Sequence, residues 1–366
     1  MRQSFLANAA DGGRRSGPSP SKVPHRTEAE RPVLITDIHV HHVPEAFVRL
    51  AERAAPFAVR LARSDGESVT LNVGAQHYQL NRTFFDAERL MARMTVMKVE
   101  RAILSLATPF VNYNVPASLG REAAELYNNE IATLCRAAPD RFGGGWAYLP
   151  MQDPQAAAGE LRRAINELKL TGGYLPSNVS GQYLDDERFA PAFAAAAELD
   201  VPLFVHPSNP PVRERMARYE LAVVAGYLFD TTLNIFHMIF GGLFDKYPKL
   251  RMCCTHLGGY APLLCARMQR ELGTNPALAA RLKRPLADYF RLLYFDTICF
   301  DPFYARAAVD SKVVDASHLL LGSDTPFPLG EPDPVGFVER SFGHGGAELA
   351  EQILRSNLLE FLTLAR

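Results

Sequence analysis

From residue 33 onward the chain alternates between two hydrophobic patterns. Short, near-continuous apolar runs recur at 33–38, 102–106, 143–149, 172–175, 203–205, 250–254, 292–297 and 319–321. Runs without strict polar alternation are what strands covered on both faces look like. Most are separated by stretches with apolar residues three and four apart, at 88–98, 118–138, 154–168, 187–199, 217–244 and 261–272. That spacing predicts amphipathic helices. Asp153-Pro154 and Asp301-Pro302 each offer a cap followed by a first-turn proline.

Eight strand-then-helix units predict an α/β protein built as a (β/α)8 TIM barrel. An open doubly wound sheet is the competing architecture. No Gly-x-Gly-x-x-Gly follows any strand, so the dinucleotide fingerprint is missing. Residues 44–85 depart from the pattern. There Ser68-Val69-Thr70-Leu71-Asn72-Val73 and His77-Tyr78-Gln79-Leu80 predict a small hairpin inserted after strand one, above the barrel mouth. Residues 1–32, rich in Gly, Ser, Pro, Arg and Glu, read as a disordered or loosely attached extension rather than a targeting peptide. That leaves 33–366 as the barrel domain.

Composition narrows the class. The chain has 366 residues and is 48% hydrophobic, enough for a substantial core. Thirty-nine basic and forty acidic residues leave a formal charge of −1, no footprint for nucleic acid or an anionic membrane. No apolar run approaches the ~20 residues that span a bilayer. Five cysteines form an odd, unpatterned set, with Cys253-Cys254 inside an apolar run. They read as reduced thiols of a cytoplasmic protein.

Polar residues with chemical capacity gather at strand ends. Strand one leads into Asp37-Ile38-His39-Val40-His41-His42. Side chains two apart on a strand share a face, so His39 and His41 can converge on one ion while His42 points elsewhere. Strand five ends in His206, strand six in His256 and strand eight in Asp324. One such histidine is an ordinary boundary residue. A barrel, however, brings all strand C-termini to one mouth, and four such ends predict an open metal site able to activate water. Asp37 either supports these residues from behind or caps the strand.

Asp-Ile-His-Val-His, Val-His-Pro, Thr-His-Leu-Gly-Gly and Gly-Ser-Asp-Thr-Pro-Phe-Pro-Leu-Gly-Glu, in this order, resemble the amidohydrolase superfamily. Within it they resemble the branch of 2-amino-3-carboxymuconate 6-semialdehyde decarboxylase. The likeness runs from about Asp37 to the C-terminus and includes the non-catalytic stretch 238–250. It implies one zinc ion held by His39, His41, His206 and Asp324, a site that manganese can also occupy. It makes His256 the acid/base for the metal-activated water, with Asp324 a second candidate for delivering the proton. Arg267 becomes a carboxylate-binding residue donated across a homodimer interface; without the resemblance it reads as a surface arginine. Binuclear relatives carry a carboxylated lysine at the end of strand four. Here Tyr174-Leu175-Pro176-Ser177 has none, so one metal is expected.

The implied reaction is non-oxidative decarboxylation of an aromatic or unsaturated carboxylic acid. The alternative is a metal-dependent hydrolase or hydratase, because the same water could attack a carbonyl or an alkene; a non-catalytic barrel is a third reading. Ser208, Phe327 and Arg82 are the remaining candidates for substrate contact. Pro207-Ser208-Asn209 replaces the branch's Pro-Trp-Asp, and Asn81-Arg82 stands where it has a substrate-gripping arginine. These departures argue for an acid of different shape from the muconate semialdehyde.

Overall fold

The protein is described here by a computed structural model covering residues 33–63, 66–74, 76–343 and 347–362; the extension expected over 1–32 lies outside the described residues. Eight strands form the inner wall: β1 (Thr36–His41), β2 (Arg101–Ser105), β3 (Phe142–Tyr148), β4 (Gly172–Pro176), β5 (Leu203–His206), β6 (Met252–Cys254), β7 (Leu293–Asp296) and β8 (Leu319–Leu320). They lie side by side in chain order, each parallel to the next. The segment after β8 then returns to β1. Ile38 N–H donates to Leu321 O at 3.0 Å, His41 N–H to Thr325 O at 2.8 Å, and Asp324 N–H to His39 O at 2.9 Å. These bonds close the sheet, so the architecture is the (β/α)8 barrel and not the open sheet.

The helices form as their caps and periodicity dictate. Asp153 accepts from Ala156 N–H, and Asp301 accepts from Phe303 and Tyr304 N–H, each ahead of a first-turn proline. β1 and the stretch 217–244 differ from expectation. β1 extends through His41, beyond the apolar run, because Asp37, His39 and His41 are buried in the body of the strand. Hydrophobicity cannot signal a strand whose buried residues are polar. The stretch 217–244 is not one helix. Tyr219 and Glu220 take left-handed conformations, a π-turn covers Ala222–Gly226, the α-helix runs Tyr227–Phe240, and Gly242 (φ 78°) breaks the chain before Leu243–Lys246.

Ala222–Phe240 is nevertheless long and apolar enough to cross a membrane by length and composition, which corrects the expectation that no such run exists. In the fold its Asp230 is buried and accepts hydrogen bonds from Ser177, Asn178 and Tyr183.

The insertion holds three antiparallel strands instead of two: Val59–Arg63, Ser68–Val73 and Gln76–Asn81. The predicted hairpin is present, with Val73 opposite Gln76. The added strand carries Arg60 and Arg63 among its five residues, so it lacks the apolar continuity used to recognise the others. Val59, Val69, Leu71 and Leu80 bury the sheet's inner face.

Inside the barrel, Trp146 of β3 stacks on Phe204 of β5, with centroids 5.2 Å apart and rings 5° from parallel. Its Nε1–H donates to Ile38 O of β1 at 2.8 Å. One side chain thus ties three strands together beneath the histidines. Trp146→Ala should cost about 3–5 kcal/mol, from lost burial and the cavity left behind. Thermal or urea denaturation will show the loss as a lower midpoint.

Candidate metal centre

β1, β5 and the turn after β8 bring His39, His41, His206 and Asp324 together, with one ligand atom from each lying within 4.8 Å of all the others. Among the described residues this is the one such cluster found. The two β1 histidines point the same way because strand side chains repeat every second residue. Asp324 takes a left-handed conformation (φ 62°) that turns its carboxylate back over the strand ends.

Each imidazole is fixed by its Nδ1. His39 Nδ1 lies 2.7 Å from Asp296 Oδ2, His41 Nδ1 3.2 Å from Leu106 O, and His206 Nδ1 2.9 Å from Pro207 O. Carbonyl and carboxylate oxygens accept, so these three Nδ1 atoms donate and the Nε2 atoms keep their lone pairs. Those lone pairs face one another. His39 and His41 Nε2 are 3.1 Å apart, and Asp324 Oδ1 is 2.9 Å from His41 Nε2 and 3.3 Å from His39 Nε2. His206 Nε2 is buried without a hydrogen-bond partner. Acceptors converging in a buried space repel unless a cation sits among them. Three imidazole nitrogens and a carboxylate oxygen suit zinc and related divalent ions, so the residues fit a metal.

Charge within the cluster follows from burial and the carboxylates. Burial disfavours the charged form of His39, but Asp324 and Asp296 outweigh it and raise its pKa to about 10. Burial lowers His41, against the pull of Asp324. Burial, and then His39, His41 and His256, hold His206 well below the usual imidazole value. Burial would raise Asp324, yet His39 and its other imidazole neighbours keep it well below the carboxylate range. Without a cation, the raised pKa of His39 places a second proton on its Nε2 lone pair, beside Asp324, and an entering cation displaces that proton.

His256 lies beside the cluster and is not one of the four convergent groups. Its Nε2 is 3.4 Å from Asp324 Oδ2 and its Nδ1 3.2 Å from Thr255 Oγ1. The turn that carries it is unusual. His256 and Leu257 have φ of 55° and 51°, followed by Gly258 at 71° and Gly259 at 64°. A Cβ on Gly258 would lie 2.5 Å from the Phe295 ring, and one on Gly259 2.2 Å from Leu228 O. Thr-His-Leu-Gly-Gly thus spells a left-handed turn packed too tightly for side chains at its end.

The other candidates separate. Phe327, half-buried, meets the His41 ring edge-on at 5.1 Å and Phe84 of the insertion at 4.7 Å. Ser208 is buried, and its N–H donates to Ser177 Oγ at 3.1 Å. Arg82 is exposed; its neighbour Asn81 makes the link to the cluster loop, donating to Pro326 O at 2.8 Å. Arg267 is exposed on the helix Ala261–Leu272 and lies outside the cluster of its own chain. Asp37 acts from behind: its Oδ1 accepts from His39 N–H at 2.9 Å and Ser323 N–H at 3.2 Å, bridging the two ligand-bearing segments. Burial raises its pKa to about 7, against those hydrogen bonds.

Sequence reasoning missed Asp296. It ends β7 as His206 ends β5, so a strand-end carboxylate was the available signal. Its Oδ2 orients His39 while its Oδ1 accepts from Leu257 and Ile298 N–H at 3.1 and 3.2 Å.

The amidohydrolase family profile matches residues 36–363. The chain is 29% identical over 335 residues to 2-amino-3-carboxymuconate-6-semialdehyde decarboxylase of Dictyostelium discoideum, covering 90% of this chain and 92% of that one. It is 31% identical over 247 residues to gamma-resorcylate decarboxylase of Rhodococcus jostii (strain RHA1), covering 63% and 74%. A crystal structure of dihydroxybenzoic acid decarboxylase from Polaromonas sp. JS666, with bound manganese and the inhibitor 2-nitroresorcinol, superposes with a TM-score of 0.72. The identity is 24%, and the match covers 92% of this chain and 98% of that one.

Asp296→Ala should weaken divalent-metal affinity by about 10–100-fold, the usual cost of losing the carboxylate behind a ligating imidazole. Competition against a chelating dye measures it. Unchanged affinity would mean that His39 keeps its orientation without Asp296.

Proposed function

The chain belongs to the amidohydrolase family, and from that premise we propose that it is a zinc-dependent, non-oxidative decarboxylase of an aromatic or unsaturated carboxylic acid. The observation that carries this reading is the convergence of His39, His41, His206 and Asp324, with His256 hydrogen-bonded to the carboxylate on its outer side. Decarboxylases among the relatives support it. A divalent ion held by the four groups supplies a Lewis acid that binds substrate oxygens and lowers the pKa of water. Zinc is proposed because the donor set is three imidazoles and one carboxylate; manganese shares it.

The remaining chemistry belongs to the side chains. Losing CO2 directly from an sp² carbon strands an electron pair that the ring cannot absorb. Adding a proton to that carbon first breaks the conjugation. The electrons of the departing C–C bond then restore it as CO2 leaves, so one proton enters and one CO2 departs. His256 Nε2 and Asp324 Oδ2, 3.4 Å apart, are the pair proposed to hold and pass that proton. Phe327, packed against His41, offers an apolar face for a planar substrate and excludes water from it. Arg267, exposed on its own subunit, is proposed to reach the site of a second copy in a homodimer. The cysteines are all unpaired, in keeping with the proposed cytoplasmic location.

Trapping released CO2 during a screen of small phenolic and enoic acids tests the reaction class. A product retaining every carbon would replace decarboxylation with hydration or hydrolysis. Chelation should abolish turnover, and zinc should restore it better than manganese. His256→Asn should keep bound metal while turnover falls about 10²–10⁴-fold, the usual size of a general acid–base contribution. Loss of metal in that variant would make His256 a ligand instead. For the shared site, inactive Arg267→Ala mixed with inactive His256→Asn should regain activity through mixed dimers. No recovery after demonstrated subunit exchange rules the shared arrangement out.

A further inference from the structure

A cavity of about 180 Å³ lies beside His206, on the Nδ1 side of its ring. Thr108, which lines it, has its hydroxyl 3.0 Å from His206 Nδ1, and Ser208 lines it two residues beyond His206. An engineered cavity of about 150 Å³ holds benzene, so this one has room for a single substituted ring. Its wall comes from the tip of the inserted sheet, the loops after β2, β4 and β5, and the start of the helix Tyr227–Phe240. Much of that wall is amide and hydroxyl, and none of it is acidic.

The wall includes one charged side chain, Arg213. Its Nη2 donates to the Tyr78 hydroxyl at 3.2 Å, and that hydroxyl itself donates to Gln76 Oε1. Tyr227, which also lines the cavity, is a second phenol interacting with the guanidinium. Among the described residues no carboxylate forms an ion pair with Arg213. Phenol oxygens are neutral acceptors, so a half-buried guanidinium with a planar fork of five donors is left without a counter-charge. The wall opposite is fixed: Asn178 Nδ2 donates to Ser208 O at 2.7 Å and to Asp230 Oδ2 at 2.8 Å.

We propose that Arg213, braced by Tyr78 and Tyr227, is a specificity residue that binds a second carboxylate of the substrate, one that the product retains. The proposal rests on the decarboxylase reading for the word substrate. The retained group is favoured on energetic grounds. A guanidinium gripping the departing carboxylate would stabilise that anion more than the nearly neutral CO2 forming from it, and so would raise the barrier. On a retained carboxylate the same contact holds ground and transition states alike, and contributes to affinity and selection. The substrate class is then a ring acid with two carboxylates, one directed to the metal and one to Arg213.

The test needs no turnover. Isophthalate and benzoate are titrated calorimetrically into the zinc-loaded protein, its Arg213→Gln and Arg213→Lys variants, with melting curves checking that each is folded. The wild type should bind isophthalate at least about tenfold more tightly than benzoate, the worth of one charge-assisted contact. Arg213→Gln should remove that preference without changing benzoate affinity, and Arg213→Lys should keep part of it. Equal affinity for the two acids in the wild type, or an undiminished preference in Arg213→Gln, overturns the assignment. The two readings fail separately. CO2 release without this discrimination removes Arg213 alone, whereas discrimination without CO2 release keeps Arg213 as a ligand residue and removes the decarboxylase.

Discussion

Three imidazole lone pairs and one carboxylate are made to face the same buried point, and much of the barrel's upper rim exists to hold them there. Left to themselves, such acceptors would turn toward separate donors. They cannot, because each ring's Nδ1 is already committed to Asp296, Leu106 O or Pro207 O. The arrangement is thus preorganised for a cation, and burial makes the absence of any other partner for His206 Nε2 costly.

The closure of the barrel serves the same constraint. β1 and the segment after β8 could meet through any set of backbone bonds, but here the bonds join the ligand residues themselves, Asp324 N–H to His39 O. Asp37 adds a second tie, from His39 N–H to Ser323 N–H. Below this rim, Trp146 links β1, β3 and β5, so the histidine-bearing strands share one packed support. Rigid strands fix the ions and protons, while loops and the inserted sheet shape the cavity beside His206, a division common to barrels of this kind.

Left-handed backbone marks the two residues that meet above the cluster. His256 and Asp324 both have positive φ, in the turns that follow β6 and β8. Such conformations cost of order 1 kcal/mol or more for residues with a Cβ and persist where surrounding structure imposes them. The glycines after His256 are part of that imposition, since the Phe295 ring and Leu228 O occupy the space that a Cβ would need.

The order of elements, their hydrophobic periodicity and the strand ends bearing His39, His41, His206, His256 and Asp324 were written in the sequence, because they depend on residues close together along the chain. The hairpin and the two aspartate caps were legible for the same reason. The reach of β1, the third strand of the insertion and the break before Tyr227 were not, since buried polar residues, mixed strands and left-handed turns leave no apolar signature. Only the tertiary structure decided which ring nitrogen faces the ion. The atom that settles it for His39 belongs to Asp296, 257 residues away, and for His41 it is the carbonyl oxygen of Leu106, 65 residues away. It also decided that Arg213, and not Arg82, stands in the cavity. A residue's type is local, but the direction of its charge and lone pairs is set by partners that folding alone brings near.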